Sequence, residues 1–371
     1  MPLLPHTLLL PAQTLAKSGA IHDLFPLAVT HFGPRGMIVH GRSLHRSGTL
    51  DALLQHTSPA CTCTTWEHIG GEPTVQQVDA LRAALRVQQP HWVAAIGGGS
   101  VIDLAKAAAG LASATEPTAY YQRTPSAIPI ATLPVIAAPT TAGTGSEATV
   151  VSVLTDPEAG LKQSIRHASH MPSMVILDPD LLCGAPPEIV AAAGLDAFIQ
   201  AFESLTSRFA TPWTRTLAEF ALVQISQNLL PLYRGDRAAA PAMLEASYIT
   251  GMAFSHSRLG IIHGLAHPLG VRFHAQHGVT CACCLRACLA FNKDALADDL
   301  HRLQATYALN VEEQVSTWLT AMSLTNPFQG GTIHDMEAFI AETLASGSTA
   351  ANPRPVTAKD VAELVHQITC T

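Results

Sequence analysis

Four runs in the first half of the chain, GMIVH (36–40), HWVAAIGGGS (91–100), LPVIAAPTT (133–141) and MVILDP (174–179), share one grammar. Each is apolar, rich in β-branched residues, and stops at glycine, proline or threonine. Between them lie stretches with apolar residues at helical spacing, TVQQVDALRAALRVQQ (74–89) and VIDLAKAAAGLAS (101–113). Strands that alternate with helices imply a parallel sheet covered on both faces. VVSVLTDPEAGLKQSI (150–165) reads as a hairpin around Asp156, Pro157 and Glu158. Past Pro186 and Pro187 the strand runs stop. EIVAAAGLDAFIQAFESLTS, TPWTRTLAEFALVQISQNLLPLY and PAMLEASYITGMAFSHS are helical by period. The expected organisation is an α/β domain over residues 1–185 and a helical domain over 186–371. Near the end, GGTIHDMEAF and NPRPVTAKDVAELVHQI read as loops feeding short terminal helices, with Thr357 as an N-cap.

Composition agrees with two well-buried domains. The chain has 371 residues, 48% of them hydrophobic and 13% charged. With 21 basic against 28 acidic residues the net charge is −7, and no basic run occurs. That balance argues against nucleic-acid and anionic-membrane partners. No apolar run is expected to reach the length needed to span a bilayer. The opening MPLLPHTLLLPAQTL is broken by prolines and has no basic stretch ahead of it, so it does not read as a signal peptide. The eight cysteines include CACCLRAC (281–288), a spacing unlike a secreted disulfide framework. Reduced thiols in a cytoplasm, buried on a helix, are the expectation, ahead of a soft-metal cluster.

Four motifs carry chemistry. In AAIGGGSVIDLAKA (94–107), Gly97, Gly98 and Gly99 let the backbone approach a ligand, and the following helix start favours a phosphate. The same glycines would serve a plain strand–helix turn. PTTAGTGSE (139–147) is a second loop after a strand. Its Thr140, Thr141, Thr144 and Ser146 offer hydroxyls at the carboxyl edge of the sheet, where open α/β sheets bind ligands. In GLDAFIQAFES (194–204), Asp196, Gln200 and Glu203 fall on one helix face. Among apolar neighbours Asp196 calls for a cationic partner; a solvated polar stripe is the blander reading. HGLAHPLGVRFHAQHG (263–278) holds four histidines, with His263 and His267 four apart before Pro268 is expected to disturb the helix. Singly, each reads as a hydrogen-bonded histidine. Together with an aspartate on a helix, two of them make a divalent-metal set.

This ordered set resembles the iron-containing (group III) alcohol dehydrogenases. The resemblance runs from MIVHGRS through GGEPTV, GGGSVIDLAKA, PTTAGTGSE, ILDPDLL, GLDAFIQAFES and HGLAHPLG to the HG at 277 and NPRPVT at 353. It implies a Rossmann-like dinucleotide-binding α/β domain followed by a helical domain, in a dehydroquinate synthase-like fold. It implies metal ligation by Asp196, His263 and His277, and a catalytic imidazole, His267, beside the nicotinamide and substrate. Gly97, Gly98, Gly99 and Ser100 resemble the pyrophosphate cradle. Asp103, Thr140, Thr141, Thr144 and Thr149 resemble cofactor contacts, and Lys162 a lysine near the nicotinamide ribose. Where the family has a second histidine on the helix of the aspartate, this chain has Gln200, a poorer ligand for iron or zinc; Gln200 or water is expected to complete the metal's shell. His274 matches no ligand position.

The resemblance implies an NAD(P)-dependent oxidoreductase that interconverts a small alcohol and its aldehyde or ketone, assisted by iron or zinc, as a homodimer or higher homo-oligomer. No carboxylate occurs between Met37 and Thr49. Gly41 leaves room for a 2′-phosphate, Arg42 offers a paired donor and Ser43 a hydroxyl, so NADP(H) is the favoured cofactor. Rival readings are a metal-independent reductase of the maleylacetate reductase type, a dehydroquinate synthase-type lyase, and a non-catalytic metal or thiol binder centred on CACCLRAC.

Overall fold

The structure is a computed structural model that describes residues 2–57, 60–130 and 132–370. Contacts divide the chain into Leu9–Ala185 and a second unit that joins the chain from Pro186 onward with the residues before Leu9.

The first unit is an α/β layer structure. Its strands are β1 (Gln13–Ala16), β2 (Arg35–Gly41), β3 (Thr62–His68), β4 (Trp92–Gly97), β5 (Val135–Pro139), β6 (Val151–Asp156), β7 (Leu161–Arg166) and β8 (Met174–Leu177). Its helices are α1 (Leu24–Phe32), α2 (Arg42–Arg46), α3 (Thr49–Gln55), α4 (Val75–Gln88), α5 (Gly99–Gly110) and α6 (Thr118–Arg123). Six strands form one parallel sheet in the order β1-β8-β5-β4-β2-β3. The other two, β6 and β7, are the expected antiparallel hairpin.

Successive residues of the central strands serve opposite faces, as the two-residue period of a strand requires. Met37, Val39, Val93, Ala95, Val135 and Ala137 pack with α4 and α5 residues such as Val78, Leu81 and Leu104. Ile38, Ala94, Ile96, Ile136 and Ile176 pack with Leu24, Phe25, Leu50 and Leu53 on the other side. Burial on both faces explains why β4 and β5 read as unbroken apolar runs. Strands β1 and β3 were not foreseen. They lie at the two ends of the sheet, where QTLA and TCTTWEH can keep polar residues toward solvent. Thr74 starts α4 with a capping box: its hydroxyl accepts from the Gln77 N–H (3.2 Å) and the Gln77 Oε1 accepts from the Thr74 N–H (3.0 Å).

The second unit is helical: α7 (Pro187–Thr206), α8 (Pro212–Tyr233), α9 (Ala240–Ser257), α10 (Ile261–Phe273), α11 (His277–Phe291), α12 (Lys293–Tyr307), α13 (Val311–Ala321), α14 (Met336–Ala345) and α15 (Ala358–Cys370). Thr357 stands ahead of α15 and accepts from the Asp360 N–H at 3.3 Å. Residues 2–8, expected with the α/β domain, pack with this unit instead. The Leu3 carbonyl accepts the Trp213 N–H at 3.2 Å. That donor belongs to the first turn of α8, where no intrahelical acceptor exists.

One further expectation is corrected here. At 20 residues, α7 is long and apolar enough by composition to cross a membrane, although 78% of its apolar window is buried inside the protein. Its buried Asp196, Gln200 and Glu203 mark it as a core helix carrying polar groups to a site. Pro268 lies inside α10, which continues to Phe273.

Candidate active site

Three helices bring the donors together in the helical unit. Asp196 comes from the middle of α7, His263 from the first turn of α10, and His277 opens α11. Close approach of α11 to α7 requires a glycine after His277. A Cβ on Gly278 would sit 1.8 Å from the Ala192 carbonyl oxygen, so backbone packs on backbone at this point. The His263 Nε2 lies 3.2 Å and the His277 Nε2 3.6 Å from one oxygen of Asp196. Asp196, His263, His277 and Cys281 each present a ligand atom, all within 4.8 Å of one another.

Glu203 fixes the orientation of His263. Its carboxylate accepts from the His263 Nδ1 at 2.6 Å and from the Ile262 N–H at 2.7 Å at the start of α10. With a proton on Nδ1, the Nε2 that faces Asp196 can carry either a second proton or a metal ion, the arrangement that metal-binding histidines use. Burial opposes charge on His263. Cys281, Asp196 and Glu203 outweigh it and raise the imidazole's affinity for a proton well above the ordinary value. The pocket is therefore built to hold positive charge between carboxylates.

Gln200 does not present its oxygen to Asp196. Its amide nitrogen donates to the second Asp196 oxygen at 3.0 Å, and its own Oε1 is buried with no hydrogen-bond partner. His267 lies one turn along α10 from His263. Its ring meets that of His277 edge-on, with centroids 4.9 Å apart. His267 and His277 are half-buried, whereas Asp196, His263 and Cys281 are buried. His274 is exposed, caps α10 in the left-handed region at φ 52°, and stands outside the donor group.

Two residues went unassigned at the level of sequence. Cys281 was read as one of several buried helix cysteines. Its spacing of four from His277 on a helix is the signal that pairs them on one face. Glu203 was placed on the face of Asp196 but given no role.

In the α/β unit, β5, β4 and β2 are neighbours, so the segments after Pro139, Gly97 and Gly41 leave the same sheet edge together. The chain passes from β2 to β3 on one side and returns to β4 on the other, which makes this edge a topological switch point. The Thr140 N–H ties two of the loops by donating to the Gly97 carbonyl at 3.0 Å. Gly97 and Gly99 are fixed by packing: a Cβ would lie 2.6 Å from Val101 and 2.5 Å from the Thr144 hydroxyl. Gly98 caps α5 with no side chain over the helix's free N–H groups. Those groups and Ser100 can receive a pyrophosphate.

Other expected cofactor contacts are engaged by protein. Both oxygens of Asp103 are used, one by the Ser146 hydroxyl and one by the Val153 N–H at 2.9 Å. Thr149 is 1% exposed and accepts from Lys106 at 3.2 Å. Asp103 and Thr149 therefore brace α5 against the following hairpin, because a buried lysine demands acceptors. Lys106 is fully buried. Burial draws its ammonium down to about 8, opposed by Asp103 and Glu147. Lys162 pairs with Glu72 at 2.9 Å. Gly41 and Ser43 stand at the end of β2, and Arg42 approaches Glu67 of β3 at 3.5 Å.

Comparison with known proteins gives matches across both units. Residues 11–179 match the family model for iron-containing alcohol dehydrogenase. Residues 190–369 match that for the C-terminal region of the Fe-containing alcohol dehydrogenase family. The probable alcohol dehydrogenase EutG of Escherichia coli K12 is 37% identical over 290 residues, 77% of this chain and 73% of that protein. The NADPH-dependent butanol dehydrogenase of Clostridium saccharobutylicum is 31% identical, covering 82% and 79%. Among solved structures, sulfoacetaldehyde reductase from Bifidobacterium kashiwanohense in complex with NAD+ superposes with a TM-score of 0.91. It is 27% identical and covers 98% of this chain and 99% of that one.

Proposed function

The chain belongs to the iron-containing alcohol dehydrogenase family and is an oxidoreductase interconverting alcohols with aldehydes or ketones through NAD(P). From that premise we propose that its α/β unit binds the dinucleotide and its helical unit a divalent metal and a small alcohol or aldehyde. The observation that carries this reading is the donor group itself. One carboxylate and two imidazoles converge within 4.8 Å, with Glu203 turning the His263 Nε2 inward. These residues fit iron or zinc.

A bound divalent ion supplies Lewis-acid polarisation of the substrate oxygen. The rest falls to the chain. Asp196, held through its second oxygen by Gln200, and His263, held by Glu203, keep the charged floor of the site rigid. His267 passes the proton of the reacting oxygen to or from solvent. Gly97–Ser100 and the start of α5 hold the pyrophosphate. Thr140, Thr141 and Thr144 contact the cofactor from the neighbouring loop, and Lys162 reaches the nicotinamide ribose. Gly41, Arg42 and Ser43 accept the 2′-phosphate of NADP(H), the favoured cofactor. Free thiols at all eight cysteines support work in a reducing compartment such as the cytoplasm.

The test is a screen of short alcohols, diols and aldehydes with NAD(H) and NADP(H), on chelator-treated protein and after return of Fe²⁺ or Zn²⁺. Turnover is expected to fall with metal content and to recover with it. Full turnover in protein shown by elemental analysis to be metal-free would overturn the metal-assisted reading and favour the metal-independent one.

A further inference from the structure

We propose that Cys281 is the fourth protein ligand of this metal site, as a thiolate, and that Gln200 orients Asp196 instead of coordinating. This rests on the metal reading above.

Three observations carry it. Cys281 follows His277 by one helical turn on α11, so both side chains lean to the same side of the helix. Its sulfur is 3.8 Å from the His277 Nε2 and shares the 4.8 Å donor group with Asp196 and His263. Among the described residues no other cysteine belongs to that group, although Cys283, Cys284 and Cys288 lie on the same helix. The third observation concerns Gln200. An amide nitrogen donates and an amide oxygen accepts, so the 3.0 Å contact with a carboxylate oxygen fixes which end faces Asp196. Gln200 thereby binds the Asp196 oxygen that the two histidines do not use.

The charge balance follows. One carboxylate and one thiolate neutralise a divalent ion, and two neutral imidazoles complete four donors. As the sulfur–metal bond forms, the thiol proton leaves to solvent. A thiolate is a soft ligand, so it favours Zn²⁺ over Mn²⁺ more than an oxygen donor would.

The experiment is X-ray absorption at the zinc edge on the full-length protein loaded with one equivalent of Zn²⁺ and dialysed. It is repeated on Cys281→Ser, Cys281→Ala and, as a control, Cys283→Ser. Wild type and Cys283→Ser are expected to show a single sulfur at about 2.3 Å. Both Cys281 variants are expected to show none. Whichever Cys281 variant keeps the wild-type circular dichroism is used for metal titration. Zn²⁺ affinity is expected to fall about tenfold or more, which is about 1.4 kcal/mol, and Mn²⁺ affinity to fall less. Retained zinc with only nitrogen and oxygen neighbours in wild type would overturn the thiolate and leave the metal reading standing. Two or more sulfurs, or one that survives in Cys281→Ser, would place the ion elsewhere among the cysteines and also overturn it. No retained metal would overturn both readings, and elemental analysis of the same sample separates that case.

Discussion

Arg42 follows the last residue of β2 and Glu67 lies near the end of the neighbouring parallel strand β3, and their side chains meet at 3.5 Å. The pair is half-exposed, so its own contribution to stability is small. Its influence on a 2′-phosphate is larger. Glu67 occupies the guanidinium that would bind the phosphate and adds a like charge beside it. Glu67→Gln is therefore expected to raise the kcat/KM ratio of NADP(H) over NAD(H) by several-fold. Gly41→Asp is expected to lower the ratio. A Cβ at Gly41 meets Val101 only at an ordinary 3.5 Å, so the variant can fold. Ratios that move together, or not at all, would remove the end of β2 from cofactor choice. His267 belongs to the same scale. His267→Ala is expected to reduce kcat by about 10²–10⁴-fold, the usual worth of a positioned proton carrier, with little change in cofactor Kd. An unchanged kcat and pH profile would make it a packing residue.

At the scale of elements, α5 and the segment around Ser146–Ala148 are joined by buried polar groups. Lys106 donates to the Ser146 carbonyl at 2.7 Å and to the Ser146 hydroxyl at 2.9 Å. Glu147 is 1% exposed, and its Oε1 has no hydrogen-bond partner. Burial pushes its carboxyl up to about 7 from an ordinary 4.5. The folded state thus prefers Glu147 protonated. The stability this gives is full below pH 4.5 and is lost as pH rises through about 7. Glu147→Gln keeps the shape without the charge. Denaturant melts at several pH values should find the variant gaining on wild type between pH 4.5 and 7, by up to about 1.4 kcal/mol per pH unit. A difference that stays flat across that window would show that Glu147 is ionised at little cost. The crossing of α11 over α7 is the other decisive contact between elements. Gly278 has no alternative there, because a side chain would collide with the Ala192 carbonyl and carry His277 and Cys281 away from Asp196.

For the whole molecule, contacts divide the chain into two units, and the proposed function gives each its own ligand. A ligand that binds only the folded state stabilises it by about 2.7 kcal/mol at a hundred times its Kd. Chelation is expected to lower the melting transition of the helical unit, and NADP(H) to raise that of the α/β unit. Calorimetry with and without each ligand reads the two effects separately. A metal that leaves every transition unmoved would mean that the Asp196 group binds no ion in the folded protein.

Much of this was legible in the chain. The buried strands announce themselves because both faces of the sheet are covered, which makes their sequences continuously apolar. The loops after β4 and β5 show as glycine and threonine because Gly97 and Gly99 must pack tightly against Val101 and Thr144. Asp196, His263 and His277 stand out because carboxylates and imidazoles are costly among apolar residues unless something pairs them. The edge strands β1 and β3 were hidden, since solvent on one side lets polar residues blur the pattern. Cys281 was hidden among its neighbours, because four cysteines on one helix differ only in which way they face. Glu67 lay outside the stretch searched for a carboxylate, since a parallel strand brings it beside Arg42 from 25 positions further along the chain. Periodicity and residue chemistry along one segment are local properties, so the sequence by itself determined the elements and the candidate donors. Which donors meet, which are already bonded to protein, and which charge faces which depends on segments far apart in the chain. Only tertiary packing decides those.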